Sequence, residues 1–195
     1  MGDSNMIVLD DNSKNVDFSD GIGVTFGKFD GIHIGHMKLI STLKEMCYEN
    51  NCKTLVYSFL QNPSNVINDC NIKLIYSLEK KKQILEDLSI DYLLLNNFDQ
   101  YYAKTMPEEF IKTLAEKYNT KIIVTGYNSR FGSHRKGGIE ELEHLCKKYN
   151  IILKVISKVT YTKDNINYDV SSTLIREVIA RGDIKFASEL LGRNF

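Results

Sequence analysis

Short runs rich in β-branched and aromatic residues alternate with longer runs of helical period along this chain. That alternation narrows its possible folds more than any other feature. The β-type runs lie near Gly23 to Phe26, Thr54 to Phe59, Asp91 to Leu95, Lys121 to Thr125 and Ile151 to Ile156. Between them, Leu39, Ile40, Leu43, Met46 and Cys47 recur at helical spacing, and Ser77 suits the cap of a helix running to about Leu88. Pro107 suits the first position of another helix ahead of Glu108 and Glu109, and Ile139 to Tyr149 forms a further one. Strands that alternate with helices imply an α/β, doubly wound parallel sheet. Ligands of such sheets sit beyond the C-terminal ends of the strands, where the strand order reverses. Residues 1–20, rich in Asp, Asn and Ser, predict an irregular lead-in or a short strand around Met6 to Leu9, and residues 21–195 predict one domain.

At the end of the first of these strands the chain reads Gly-Lys-Phe-Asp-Gly-Ile-His-Ile-Gly-His, from Gly27 to His36. A strand, a glycine-rich turn and a helix therefore follow one another. Gly27, Gly31 and Gly35 let the backbone bend and approach a ligand, while the free N–H groups of the helix start attract anions. His33 and His36 sit where a nucleotide's phosphates would lie. A metal pair or two surface histidines are the competing explanations, but the nearest cysteine, Cys47, lies far along the helix, and neither explanation uses the glycines.

Two later stretches carry the same kind of chemistry. Ser171-Ser172-Thr173 leads into an apolar helical stripe at Leu174, Ile175, Val178 and Ile179, and three hydroxyls exceed what a cap requires. The spare ones can donate to phosphate oxygens. Arg176 points away from the stripe, toward a cleft or toward water, and its planar fork suits phosphate. The loop from Gly126 to Gly138 follows the fourth predicted strand, on the same sheet edge as the first turn, and offers Asn128 and Arg130 as ligand contacts.

Lys plus Arg and Asp plus Glu both number 25, so no global field points to nucleic acid or an anionic membrane. Cysteines 47, 52, 70 and 146 form neither a paired metal pattern nor a secreted disulfide framework, and no leading apolar segment reads as a signal or a membrane span. A cytoplasmic protein is expected.

Taken together and in this order, the motifs resemble the FAD synthetase (FMN adenylyltransferase) module of the bacterial bifunctional riboflavin kinase/FAD synthetases. The likeness runs from about residue 21 to 195. It rests on Gly27-x-Phe29-Asp30-Gly31-x-His33-x-Gly35-His36, on Gly126-x-Asn128-x-x-Phe131-Gly132, on Ser171-Ser172-Thr173-x-x-Arg176, and on Gly182-Asp183 followed by Leu190-Leu191-Gly192-Arg193. His-x-Gly-His alone marks the wider HxGH nucleotidylyltransferase superfamily, with its Rossmann-like sheet. The joint order narrows the resemblance to the flavin branch.

The resemblance implies transfer of AMP from ATP to the phosphate of FMN, giving FAD and pyrophosphate, with magnesium carried on the ATP phosphates and no metal held by protein ligands. It implies catalytic roles for His33, His36 and Arg176, and ATP contacts at Gly27, Phe29, Gly35, Asn128, Ser171, Ser172 and Thr173. Flavin contacts are implied at Phe59, Asn62, Pro63, Arg130 and Phe131. Asn62 stands where the family usually has His, Lys28 where it commonly has Asn, and Ser129 where it commonly has an aromatic residue. The family chain normally continues into a β-barrel that phosphorylates riboflavin, whereas this sequence stops at Phe195, so the kinase activity is expected to be absent. Adenylyl or cytidylyl transfer to a different phosphate, and flavin or nucleotide binding with little catalysis, are the alternatives.

Overall fold

The structure, a computed structural model, describes residues 6–10, 13, 16–61, 72–99 and 102–195. Its main sheet has six parallel strands: β1 (Ile7–Leu9), β2 (Ile22–Phe26), β3 (Lys53–Phe59), β4 (Tyr92–Asn96), β5 (Thr120–Gly126) and β6 (Ile152–Ile156), in the spatial order β1-β4-β3-β2-β5-β6. From β2 the chain winds outward through β3 and β4, then returns to place β5 on the other side of β2. The order therefore reverses between β2 and β5. The five expected strands are present within a residue or two of their expected ends, and the first segment takes the strand form, with β1 pairing to β4 at the sheet edge.

Helices α1 (Ile34–Glu49), α2 (Leu78–Asp87), α3 (Pro107–Lys117) and α4 (Ile139–Lys148) cover the sheet. Ser77 caps α2 by accepting from the Lys80 N–H, and Pro107 opens α3, as expected. Successive strand residues feed opposite faces, because side chains alternate across a strand. Leu55 and Tyr57 of β3 join Phe110, Ile111 and Leu114 of α3 and Leu142 and Leu145 of α4. Val56, between them, packs with Ile40 of α1 and Ile84 and Leu85 of α2 on the other face. In β5, Ile123 faces the first group, while Ile122 and Val124 meet Leu43 and Cys47 of α1. Both faces of β2 to β5 are buried, so these strands read as near-continuous apolar runs.

A third cluster lies beyond the sheet. An antiparallel hairpin, β7 (Thr160–Lys163) and β8 (Ile166–Asp169), turns through Asp164 and Asn165, both at positive φ. Helices α5 (Ser172–Ala180) and α6 (Ile184–Leu191) follow it, and Ile175, Val178, Phe186, Leu190 and Leu191 pack together with Ile75. The Tyr168 ring meets Phe186 edge-on at 4.9 Å between centroids. This cluster sets α5 and the chain's last residues against the turn that follows β2.

Candidate active site

The turn between β2 and α1 is strained, and residues from four distant segments hold it. Phe29 (φ 47°), Gly31 (φ 83°) and Ile32 (φ 44°) all lie in the left-handed region, which is costly for a β-branched residue such as Ile32. Only at Gly31 is that conformation without steric cost. The Asp30 carboxylate accepts from the Ile75 N–H at 2.8 Å and from the Arg176 guanidinium at 3.1 Å, and the Asp30 carbonyl accepts from the Ser172 hydroxyl at 2.8 Å. Arg193 donates to the carbonyls of Gly31 (2.9 Å) and Ile32 (2.8 Å). Lys81 and Ser58 donate to the carbonyl of Lys28, at 3.0 and 3.1 Å.

His33 is the N-cap of α1, and its Nδ1 accepts from the His36 N–H at 3.4 Å. The first turn of α1 contains no acidic residue, so its positive end stays open to an anion. Burial lowers the His33 imidazole to about 4, with the Arg193 guanidinium adding to the fall. Burial likewise pushes His36 well below its ordinary value, helped by His33, Lys81 and Arg193. Both rings are therefore neutral at pH 7. Since Nδ1 of His33 is an acceptor, its proton sits on Nε2, leaving one N–H to donate. Nδ1 of His36 is buried with no hydrogen-bond partner among the described residues. A Cβ on Gly35 would come within 3.1 Å of the His33 ring, so a side chain there would crowd the histidine pair.

These groups open onto a cavity of about 700 Å³ that extends past the C-terminal ends of β2 and β5. Lys28, Arg130, Arg135 and Lys158 line it, and among the described residues the one carboxylate, Asp169, is paired to Lys158 at 2.6 Å. The wall is thus cationic where a polyanion would enter. An aromatic network forms the rest of the wall. Phe26 meets Phe110 edge-on and Phe131 meets it at a tilt, Phe110 meets Tyr57, and Phe59, Phe98 and Tyr102 continue with edge-to-face contacts. Such a surface suits a flat aromatic ligand.

Of the residues expected at the site, Gly27, Phe29, His33, Gly35, His36, Phe59, Asn128, Arg130, Phe131, Ser171 and Ser172 line this cavity. Thr173 and Arg176 do not. Thr173 is exposed one position around α5 from Ser172, and Arg176 is drawn to Asp30, whose carboxylate is only 3% exposed and needs a cationic partner. Nor are the other two hydroxyls both spare, since Ser171 caps α5 through the Leu174 N–H and Ser172 is committed to Asp30. Asn62 and Pro63 lie outside the described residues. Sequence reasoning missed Arg135, Lys158 and most of the aromatic wall, which gather only through the tertiary fold. It also missed Lys81, although a lysine in the apolar row Leu78, Leu85, Leu88 is a readable signal.

The family model for FAD synthetase matches residues 16–173. A bifunctional riboflavin kinase/FMN adenylyltransferase of Buchnera aphidicola (subsp. Schizaphis graminum) is 36% identical over 174 residues, covering 88% of this chain and 55% of the relative. An FAD synthetase of Listeria monocytogenes is 33% identical over 87% of this chain and 68% of its own length. The chain thus spans little more than half of the first relative. Among solved structures, one described as a macrolide-efflux protein from Streptococcus pneumoniae superimposes with a TM-score of 0.85 at 26% identity, covering 96% of this chain and 60% of that one. A pantoate-β-alanine ligase from Francisella tularensis, in complex with an ATP species and β-alanine, shares the fold at a TM-score of 0.52 and 15% identity, over 96% of this chain and 85% of that one.

Proposed function

The chain belongs to the FAD synthetase family, and on that premise we propose that it transfers AMP from ATP to FMN, releasing pyrophosphate and forming FAD. One observation carries the reading: a single cavity joins the histidine turn at the start of α1 to a wall of aromatic rings. A triphosphate fits the first, and an isoalloxazine fits the second.

An oxygen of the FMN phosphate attacks the α-phosphorus of ATP in line. The new P–O bond forms as the bridging bond to the β-phosphate breaks, and pyrophosphate leaves with that electron pair. The attacking oxygen is already anionic at pH 7, so no base is needed, in keeping with a cavity whose one carboxylate among the described residues is tied to Lys158. Catalysis then rests on positioning and on donors aimed at developing charge. His33 and His36 donate to the α-phosphate as neutral imidazoles, and Lys28, Arg135 and Lys158 offset the charge of the departing pyrophosphate. Phe59 and Phe131 hold the flavin. Arg176, Ser172 and Arg193 act at one remove, by fixing the turn.

Magnesium enters on the ATP phosphates as part of the substrate. Among the described residues no three His, Cys, Asp or Glu side chains lie together. No described helix is long and apolar enough to cross a membrane, and both substrates suit an enzyme of the cytoplasm. Incubating the chain with FMN, ATP and magnesium tests the proposal: FAD resolved by chromatography supports it, and bound FMN without product overturns it.

A further inference from the structure

We propose that Lys81 is a positioning residue for the adenylyl transfer: from the inward row of α2 it grips the Lys28 carbonyl and so fixes the strained turn that carries His33 and His36. The inference rests on the reading of the site as an adenylyltransferase. Lys81 is 7% exposed and sits in a row with Leu78, Leu85 and Leu88, a place where apolar packing alone calls for a leucine or methionine. Its ammonium donates to the Lys28 carbonyl at 3.0 Å and to the Ser58 hydroxyl at 3.2 Å, and that hydroxyl donates in turn to the same carbonyl at 3.1 Å. Three atoms on three segments thus close a triangle at the residue where the backbone leaves β2 for the turn.

No carboxylate among the described residues pairs with this ammonium within 4 Å; Asp30 is the nearest acidic influence, and its oxygens are occupied by Ile75 and Arg176. Holding a buried cation without an ion-pair partner is costly, which a merely structural side chain would avoid. The charge has a use at this place. A turn that must receive phosphate presents carbonyl oxygens, whose negative ends repel an anion, and Lys81 neutralises the one at Lys28 as Arg193 does those at Gly31 and Ile32.

Burial lowers the ammonium to about 8, with Asp30 opposing the fall. The charged and titratable groups facing it are Lys28 and Asp30 from the turn, Arg176 through its pair with Asp30, and His36 from α1; β3 contributes the neutral Ser58. The cation is present below about 8 and is lost as pH rises through that value.

The test is steady-state FAD formation by the full chain and by Lys81→Met and Lys81→Arg, from about pH 6.5 to 9.5. At pH 7, Lys81→Met should lower kcat/KM by roughly 10- to 100-fold, the range for a displaced constellation. Wild-type kcat/KM should decline above about 8, and Lys81→Arg should recover activity while moving that decline upward by about a unit or more. Lys81→Met within about threefold of wild type, or an alkaline decline identical in wild type and Lys81→Arg, overturns the inference while leaving adenylyl transfer intact. Absence of FAD from the wild type overturns the adenylyltransferase reading itself. Should Lys81→Met fail to fold, the wild-type and Lys81→Arg profiles decide the matter alone.

Discussion

The rings of His33 and His36 stack with their centroids 3.7 Å apart and their planes 20° from parallel. Two imidazolium ions at that distance would repel each other, and both rings are buried enough to stay neutral. The pair therefore presents neutral rings at a helix start, and Lys28, Arg130, Arg135 and Lys158 line the cavity beside it.

Acid should destabilise the fold through this pair. His33 falls from its ordinary 6.5 to about 4 on folding, so between those values the unfolded chain binds more protons, and stability rises with pH. The contribution is complete above about 6.5 and disappears as pH falls toward 4. His33 accounts for about 3 kcal/mol, and His36 acts in the same direction. Urea denaturation at pH 7.5 and 4.5 reads the loss. A stability unchanged over that interval, or a loss that persists in His33→Asn/His36→Asn, contradicts it.

Arg193 should matter to both stability and turnover without lining the cavity. Arg193→Ala removes two charge-assisted hydrogen bonds from the Gly31 and Ile32 carbonyls. The expected cost is about 2 to 4 kcal/mol, with FAD formation falling because the turn can relax. Arg193→Lys should restore part of each, since one ammonium cannot copy both arms of the fork. Full activity in Arg193→Ala would show that the turn needs no such brace.

Arg176 should behave as the partner of Asp30. Arg176→Met leaves a carboxylate buried at 3% exposure, and because the guanidinium itself is partly solvated the cost is about 2 kcal/mol. In a double-mutant cycle with Asp30→Asn, the two changes should be non-additive by about 1 kcal/mol or more. Additive effects, combined with a raised KM for ATP, would show that the guanidinium meets substrate instead.

The contrast between His33 and Arg176 marks what sequence reasoning reaches. Hydrophobic runs, caps and glycines are local, so the strands, the helix starts at Ser77 and Pro107 and the histidine turn were all legible. The hairpin of β7 and β8 was readable too, since Asp164-Asn165 between two short runs is a two-residue turn signal, but it was not among the expected elements. What the turn leans on is not local. Asp30 takes its partners 45 and 146 residues away, and Arg193 reaches back 161 and 162. Arg176 was expected to touch phosphate because its pattern is the same whether its guanidinium meets a ligand or a buried carboxylate. Lys81 shows the converse, a polar break in an apolar row that could be seen before the fold was known.

The most direct measurement follows the label from ATP carrying ³²P at the α-position, incubated with FMN and magnesium and either the wild-type chain or His36→Ala. The wild type is expected to place the label in FAD, and His36→Ala to slow this by on the order of 100- to 1000-fold. Label that never enters a flavin product, with FMN still bound by the wild type, would contradict it.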